Sequence, residues 1–319
     1  MKILGYFDYY PGSGHNGGAE ITAHAILLAL KNAGHTVDVL MASPFPTGEE
    51  SYVIDGIRVQ RFGSKRDPEL YFHHYDLIVT QLGTSQRAWY LGVRDGIPTL
   101  QLSHNYNEYS RHIAKYCDHL VINSEYAQTA IDVNKPMTVV YPIVDPNAYK
   151  VQSTGQYIAM VNMSDGTLPW YCKGAGTFYR LAEHFPDQEF LAVEGAHGVQ
   201  DIREMSNVTV WPQQADIRQV YHCSKAVLMP SKYVESFGRI SVEAAASGIP
   251  SLVSDLPGPR EAGTAYEYLD PEDSAAWVAA LARLLTDPYA GDLAQAQSEK
   301  LWKITQGQIE TLLREVGSL

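Results

Sequence analysis

The sequence predicts an α/β protein made of two doubly wound halves of similar length, and three observations carry that prediction. The chain has 319 residues, room for two domains of about 150 each. Its opening reads as strand, glycine-rich loop, helix and strand, the unit that pairs parallel strands through a right-handed crossover. Past a boundary near residues 145–155 the same alternation starts again at Gln156.

Taken in order, residues 2–7 are a first buried strand and 8–18 a loop carrying Gly12, Gly14, Gly17 and Gly18. A helix over 19–33 has its apolar stripe at Ile21, Ala25, Leu28 and Leu30, with Gly34 where a left-handed residue closes a helix. Residues 36–41 are the next strand, and 51–62 a hairpin turning at Asp55-Gly56. Short buried strands follow at 75–82, 98–103 and 119–123, separated by helices over 87–94 and 109–117. In the second half, strands at 156–162, 189–194, 208–211, 226–230 and 251–254 alternate with helices at 174–184 and 217–223. A last helix over 301–316 presents Leu301, Ile304, Ile309, Leu312, Leu313 and Val316 at near-helical period.

Composition narrows the function. Thirty-six acidic against 24 basic side chains give a formal charge of -12, which argues against nucleic-acid acceptors and anionic membranes. Cys117, Cys172 and Cys223 are far apart, with no CxxC and no Cys/His pair at zinc spacing, as suits a reducing cytoplasm. No stretch approaches 18 apolar residues and the N-terminus has no signal-like apolar region, so the chain reads as soluble, unprocessed and without a membrane span.

The stretch SKYVESFGRISVEAAASGIP, from Ser231 to Pro250, carries the chemistry. It sets Glu235 in a loop, Ser236-Phe237-Gly238 at the mouth of a helix and Glu243 inside that helix. Unpaired N–H groups at a helix start, opened by a residue without a side chain, seat a pyrophosphate. At a rise of about 1.5 Å per residue Glu243 lies roughly 8 Å along the helix, while Glu235 precedes it. Two carboxylates on either side of a pyrophosphate can grip hydroxyl groups at both ends of a nucleotide sugar. The plainer alternative is a loop glutamate and a solvated helix glutamate.

Four further features stand alongside. Gly17-Gly18-x-Glu20 precedes the first helix, where it could open the backbone to a ligand or merely cap the helix. A nicotinamide fingerprint fits this loop only loosely, and no acidic residue closes the following strand. His104 falls at the C-terminal end of its strand, where α/β sheets place ligand sites; with Glu108 it lacks a third metal ligand. Lys173-Gly174 precedes a helix, and Trp211 to Gln213 follow a strand.

In order and spacing these features resemble the retaining glycosyltransferases of the GT-B fold, in particular glycosyltransferase family 4 (group 1). The resemblance implies two Rossmann-like domains facing a central cleft. Residues 1–150 would be the acceptor-side domain and 151–300 the nucleotide-sugar domain, with a helix at 301–319 crossing back to the first. It implies that Glu235, His104 and Lys173 are catalytic, His104 approaching the donor sugar and Lys173 meeting the donor phosphates. Gly17, Gly18, Asn162, Ser236, Phe237, Gly238, Arg239, Glu243 and Trp211 would complete donor binding, Trp211 near the base. One departure stands out: Asn162-Met163-Ser164 replaces the Gly-Arg-Leu common in such families, which leaves Lys173, backbone amides and Arg239 to meet the phosphate charge.

The expected substrate is a nucleoside diphosphate sugar, UDP- or GDP-linked, with no cofactor; the acceptor is a glycan, a protein or a small molecule. The sequence has no Asp-x-Asp pair, as suits metal-independent departure of the diphosphate. The acceptor's place is expected in loops 8–15 and 44–50, which carry Tyr9, Tyr10, His15 and Phe45. A sugar-nucleotide epimerase on the same fold and a non-catalytic nucleotide-sugar-binding protein are the alternatives from other classes.

Overall fold

The computed structural model describes residues 1–13, 17–42, 51–61, 72–164, 172–195 and 199–319. His15, Phe45, Phe62 and the rest of loop 44–50 lie outside these. The chain forms two compact units, one of Met1–Ile143 with Thr305–Leu319, the other of Val144–Ile304.

In the first unit eight strands make one sheet. They are β1 (Lys2–Phe7), β2 (Thr36–Met41), β3 (Ser51–Ile54), β4 (Ile57–Arg61), β5 (Leu77–Gln81), β6 (Thr99–Ser103), β7 (His119–Ile122) and β8 (Met137–Val139). Their order is β3-β4-β2-β1-β5-β6-β7-β8. All pairings are parallel except the β3–β4 hairpin. Asp55 and Gly56 turn that hairpin with φ of 47° and 71°, the left-handed pair that matches strand twist. Every residue of β5, β6 and β7 is buried, the mark of strands covered on both faces.

The second unit holds β9 (Tyr157–Val161), β10 (Glu189–Val193), β11 (Val208–Trp211), β12 (Ser224–Met229), β13 (Ser251–Ser254) and β14 (Glu267–Leu269), in the order β11-β10-β9-β12-β13-β14 and all parallel. Strand order reverses between β9 and β12 here, and between β1 and β5 in the first unit. The crevice outside the C-terminal ends of two such strands is where open α/β sheets hold ligands. Around the second sheet pack Ile158, Met160, Phe178, Phe190, Leu228, Leu252 and the fully buried Trp277.

Two expected boundaries shift for physical reasons. The helix expected over 109–117 is Glu108–Ile113, capped by Asn107, whose side chain accepts the Ser110 N–H at 2.9 Å. The residues beyond leave the helix, and Ala114 and Cys117 enter the core around Leu120 and Ile122. The last helix begins eleven residues early, running Ala290–Val316. Its first turns bury Ala290, Ala294 and Ser298, small residues that leave no stripe of large side chains to read. From Thr305 this helix groups with the first unit, where Leu312 and Val316 join the core of Ile3, Ile26, Leu30 and Val37. No helix among the described residues is long and apolar enough to cross a membrane.

Leu312 is 1% exposed, so truncation to alanine leaves a cavity in the first unit's core. Leu312→Ala is expected to cost about 2–5 kcal/mol in chemical unfolding. A change within a few tenths would show that the terminal helix does not contribute to that core.

Candidate functional site

Apart from Trp211, the residues singled out in the second half lie on the segments that leave the C-terminal ends of β9 and β12, the two strands on either side of the order reversal. Asn162 follows β9 in the left-handed region, φ 73°, the conformation a glycine would adopt there. Its Oδ1 accepts the Ser164 N–H at 3.1 Å. Gln200 pins the turn: its Oε1 accepts the N–H groups of Met163 and Gly195, both at 2.9 Å. Met163 is fully buried. Where the resemblance leads one to expect a guanidinium, the chain has an apolar side chain turned into the core.

Lys173 is placed by backbone contacts on both sides. Its N–H donates to the Ser164 carbonyl at 3.2 Å, and the Lys232 N–H donates to the Cys172 carbonyl at 3.0 Å. Gly174 then takes φ 84° as the cap of helix Ala175–His184, and a Cβ there would lie 2.0 Å from the Pro230 carbonyl oxygen. This seating brings the Lys173 ammonium onto Glu235 Oε1, an ion pair whose side chains are only 18% and 12% exposed. Ser231 Oγ donates to the same carboxylate oxygen at 2.7 Å. The Tyr233 ring lies 5.0 Å from the Lys173 ammonium, within cation–π reach.

Ser236 is half-buried and Phe237 buried, and Gly238 adopts φ 90° to start helix Arg239–Ala245. Glu243 sits inside that helix at 3% exposure, as a buried carboxylate with both oxygens satisfied. Arg239 Nε donates to its Oε1 and the Tyr221 hydroxyl to its Oε2, the latter at 2.7 Å. Burial and the Glu243 charge push the Tyr221 phenol well up, so it remains a donor. A second guanidinium nitrogen of Arg239 donates to the Tyr149 hydroxyl. The two motif carboxylates are thus matched by two cations, Lys173 with Glu235 and Arg239 with Glu243.

Trp211 ends the edge strand β11 and packs half-buried on the cluster of Ala159, Leu191, Val193 and Val220. Gly17, Gly18 and His104 belong to the first unit. Gly17 caps the first helix, and beside Gly18 a Cβ would meet nothing within 4 Å. His104 Nε2 donates to the Gln81 amide oxygen at 2.7 Å, which puts the ring proton on Nε2 and leaves Nδ1 as the basic atom. Burial lowers its pKa to about 4, so the ring is neutral at pH 7. Among the described residues no group of three His, Cys, Asp or Glu is placed to hold a metal ion.

Sequence reasoning missed Ser231, Tyr149, Tyr221 and Gln200. Ser231 stood four residues before Glu235 and was legible as a neighbour. The other three reach the site from elements 22 to 90 residues away by no motif.

Two outcomes follow. Gly174→Ala combines a strained φ with a clash against a backbone carbonyl and is expected to cost about 2–5 kcal/mol by denaturant melting; near-neutrality would overturn the seating described. For His104 the folded pKa of about 4 lies below the ordinary 6.5, so between those values the unfolded chain binds a proton that the folded chain does not. Stability therefore falls as pH drops from about 6.5 to about 4, and His104→Gln removes part of that slope. Equal slopes for both proteins in urea melts over this range would contradict the burial of a neutral ring.

Comparison with known proteins bears on this geometry. Residues 201–301, which include Trp211 and the Glu235–Glu243 motif, match the family model "Glycosyl transferases group 1". Curated protein sequences give no match. Among solved structures, HepE from Anabaena in complex with UDP-glucose superposes with a TM-score of 0.77 at 22% identity, covering 100% of both chains. Sucrose-phosphate synthase from Thermosynechococcus elongatus gives 0.76 at 16% identity, again over 100% of both. A glycosyltransferase from Rickettsia africae ESF-5 gives 0.70 at 16%, over 99% of this chain and 97% of that one. The fold is GT-B, and the segment that matches the model of the group 1 glycosyl transferases, residues 201–301, is the one that carries the two motif glutamates.

Proposed function

We propose that the protein is a retaining glycosyltransferase that moves a sugar from a nucleoside diphosphate sugar to an acceptor hydroxyl or other nucleophile. The observation that carries this reading is the paired arrangement at the ends of β9 and β12. There two carboxylates able to accept from hydroxyl groups and two cations able to meet phosphate are held together in one unit. The structure of HepE holding UDP-glucose supports a uridine nucleotide as the first to be tried, with GDP-linked sugars second.

In this reading Glu235 grips the transferred sugar, Glu243 the ribose and Lys173 the diphosphate, with Arg239 as a second cation. Ser236, Phe237 and Gly238 shape the turn between them, Asn162 the turn opposite, and Trp211 lies toward the base. Gly17, Gly18 and His104 enter through the resemblance. A neutral His104 ring can accept a hydrogen bond from a sugar hydroxyl through Nδ1. As the bond between sugar and phosphate breaks, charge grows on the leaving oxygen, and a preorganised ammonium at that point lowers the barrier. The departing phosphate takes the acceptor's proton on the face it leaves, so configuration is retained and no carboxylate of the protein acts as nucleophile. No metal is assigned a part, and the site of action is the cytoplasm.

Incubation with UDP- and GDP-sugars, with and without a panel of sugar acceptors, separates a transferase from an epimerase, which changes the nucleotide sugar without an acceptor. A protein that binds but never turns over would be a nucleotide-sugar-binding module. The product anomer by NMR should match that of the nucleotide sugar, and turnover should persist in EDTA; inversion or metal dependence would overturn those parts. Lys173→Ala should weaken nucleotide-sugar affinity and slow turnover together, each by about ten- to a hundredfold, because one charge-assisted contact is worth about 1.5–3 kcal/mol. Wild-type affinity in that variant would remove Lys173 from the phosphate.

A further inference from the structure

The ion pair between Lys173 and Glu235 suggests more than a pair of binding groups. Both side chains are mostly buried, so their attraction is weakly screened and neither is well hydrated when separated. Ser231 holds the shared carboxylate oxygen and the Tyr233 ring lies against the ammonium, which keeps each partner where it is. On the reading proposed above, on which this inference rests, each group changes partner when a nucleotide sugar binds. The ammonium turns to a phosphate oxygen and the carboxylate to the sugar's hydroxyl groups.

We propose that this pair is a product-release device, in which Glu235 recaptures Lys173 once the sugar has left and thereby lowers the protein's affinity for the spent nucleoside diphosphate. With the intact nucleotide sugar, breaking the pair is compensated at both ends, because both charges gain new hydrogen-bonding partners. With the spent nucleotide only Lys173 gains one. Glu235 is then a mostly buried carboxylate that has lost its ammonium partner and stands beside a newly arrived phosphate charge. Re-forming the ion pair removes that penalty at the expense of the phosphate contact. The second pair, Arg239 with Glu243, has no such asymmetry: on this reading Glu243 meets the ribose, which stays on the spent nucleotide. Discrimination between substrate and product is therefore concentrated at Lys173 and Glu235.

The test is calorimetric titration of the wild type and of Glu235→Gln with UDP and with UDP-glucose, repeated with GDP and GDP-mannose. The amide keeps the size of the side chain and one acceptor but cannot neutralise Lys173. Glu235→Gln should bind the free diphosphate about tenfold more tightly than the wild type and should not gain for the intact sugar nucleotide. That gain should vanish when Lys173→Met is also present, as a coupling carried by Lys173 requires. Glu235→Ala is read in the same way should the amide variant not fold. Unchanged or weaker binding of the diphosphate by Glu235→Gln, with the wild type binding it normally, would overturn the release device alone. Absence of nucleotide binding in the wild type would overturn the proposed function itself, and this inference with it.

Discussion

Because a Cβ at residue 174 would lie 2.0 Å from the Pro230 carbonyl oxygen, helix Ala175–His184 can be seated on the end of β12 only if residue 174 is glycine. That seating fixes where the preceding residue points. Lys173, tied through its backbone to Ser164 and beside the Cys172–Lys232 link, has its ammonium delivered to the loop that leaves β12. The chain leaving β12 supplies Ser231, Tyr233 and Glu235 within five residues, and Gly238 then starts the short helix that carries Arg239 and Glu243. A single close approach between a helix cap and the residue that follows β12 thus brings together charges that lie 70 residues apart in sequence, from Lys173 to Glu243.

Burial gives these charges their leverage. Surface ion pairs contribute little, but a pair from which water is largely excluded binds strongly and is costly to break without substitutes. Both motif glutamates are in that position, Glu243 more deeply than Glu235. Glu243 is additionally held by Tyr221, so reaching a ribose requires Arg239 or Tyr221 to yield. The missing guanidinium after β9 bears on the same balance. With Met163 buried in its place, the phosphate charge falls to Arg239 and Lys173 on the reading proposed above, and each already has a carboxylate partner.

Much of this was legible in the sequence because it is written locally. The β9 to β13 alternation, the Asp55-Gly56 hairpin and the left-handed Gly34 after the first helix all rest on neighbouring residues, and the structure shows each of them. The Glu235-x7-Glu243 stretch likewise shows its layout of loop, turn and helix directly. Partnerships are another matter. Nothing near Glu243 in the chain announces Tyr221, and nothing near Arg239 announces Tyr149, because contacts between elements of a parallel sheet join residues with no fixed spacing. The early start of the last helix was hidden for a different reason: its buried face is made of alanine and serine, whose small side chains carry no periodic signal.

The central claim is that a nucleoside diphosphate sugar binds the second unit at the ends of β9 and β12. Hydrogen exchange measured by mass spectrometry tests it most directly, because it reports where a ligand protects backbone amides without presupposing turnover. With saturating UDP-glucose or GDP-mannose, the account predicts slowed exchange in peptides covering Lys173–Gly174 and residues 231–243, with peptides of β14 and helix Ser274–Thr286 unaffected. Protection confined to those latter segments, or absent throughout with every nucleotide sugar tried, would contradict it.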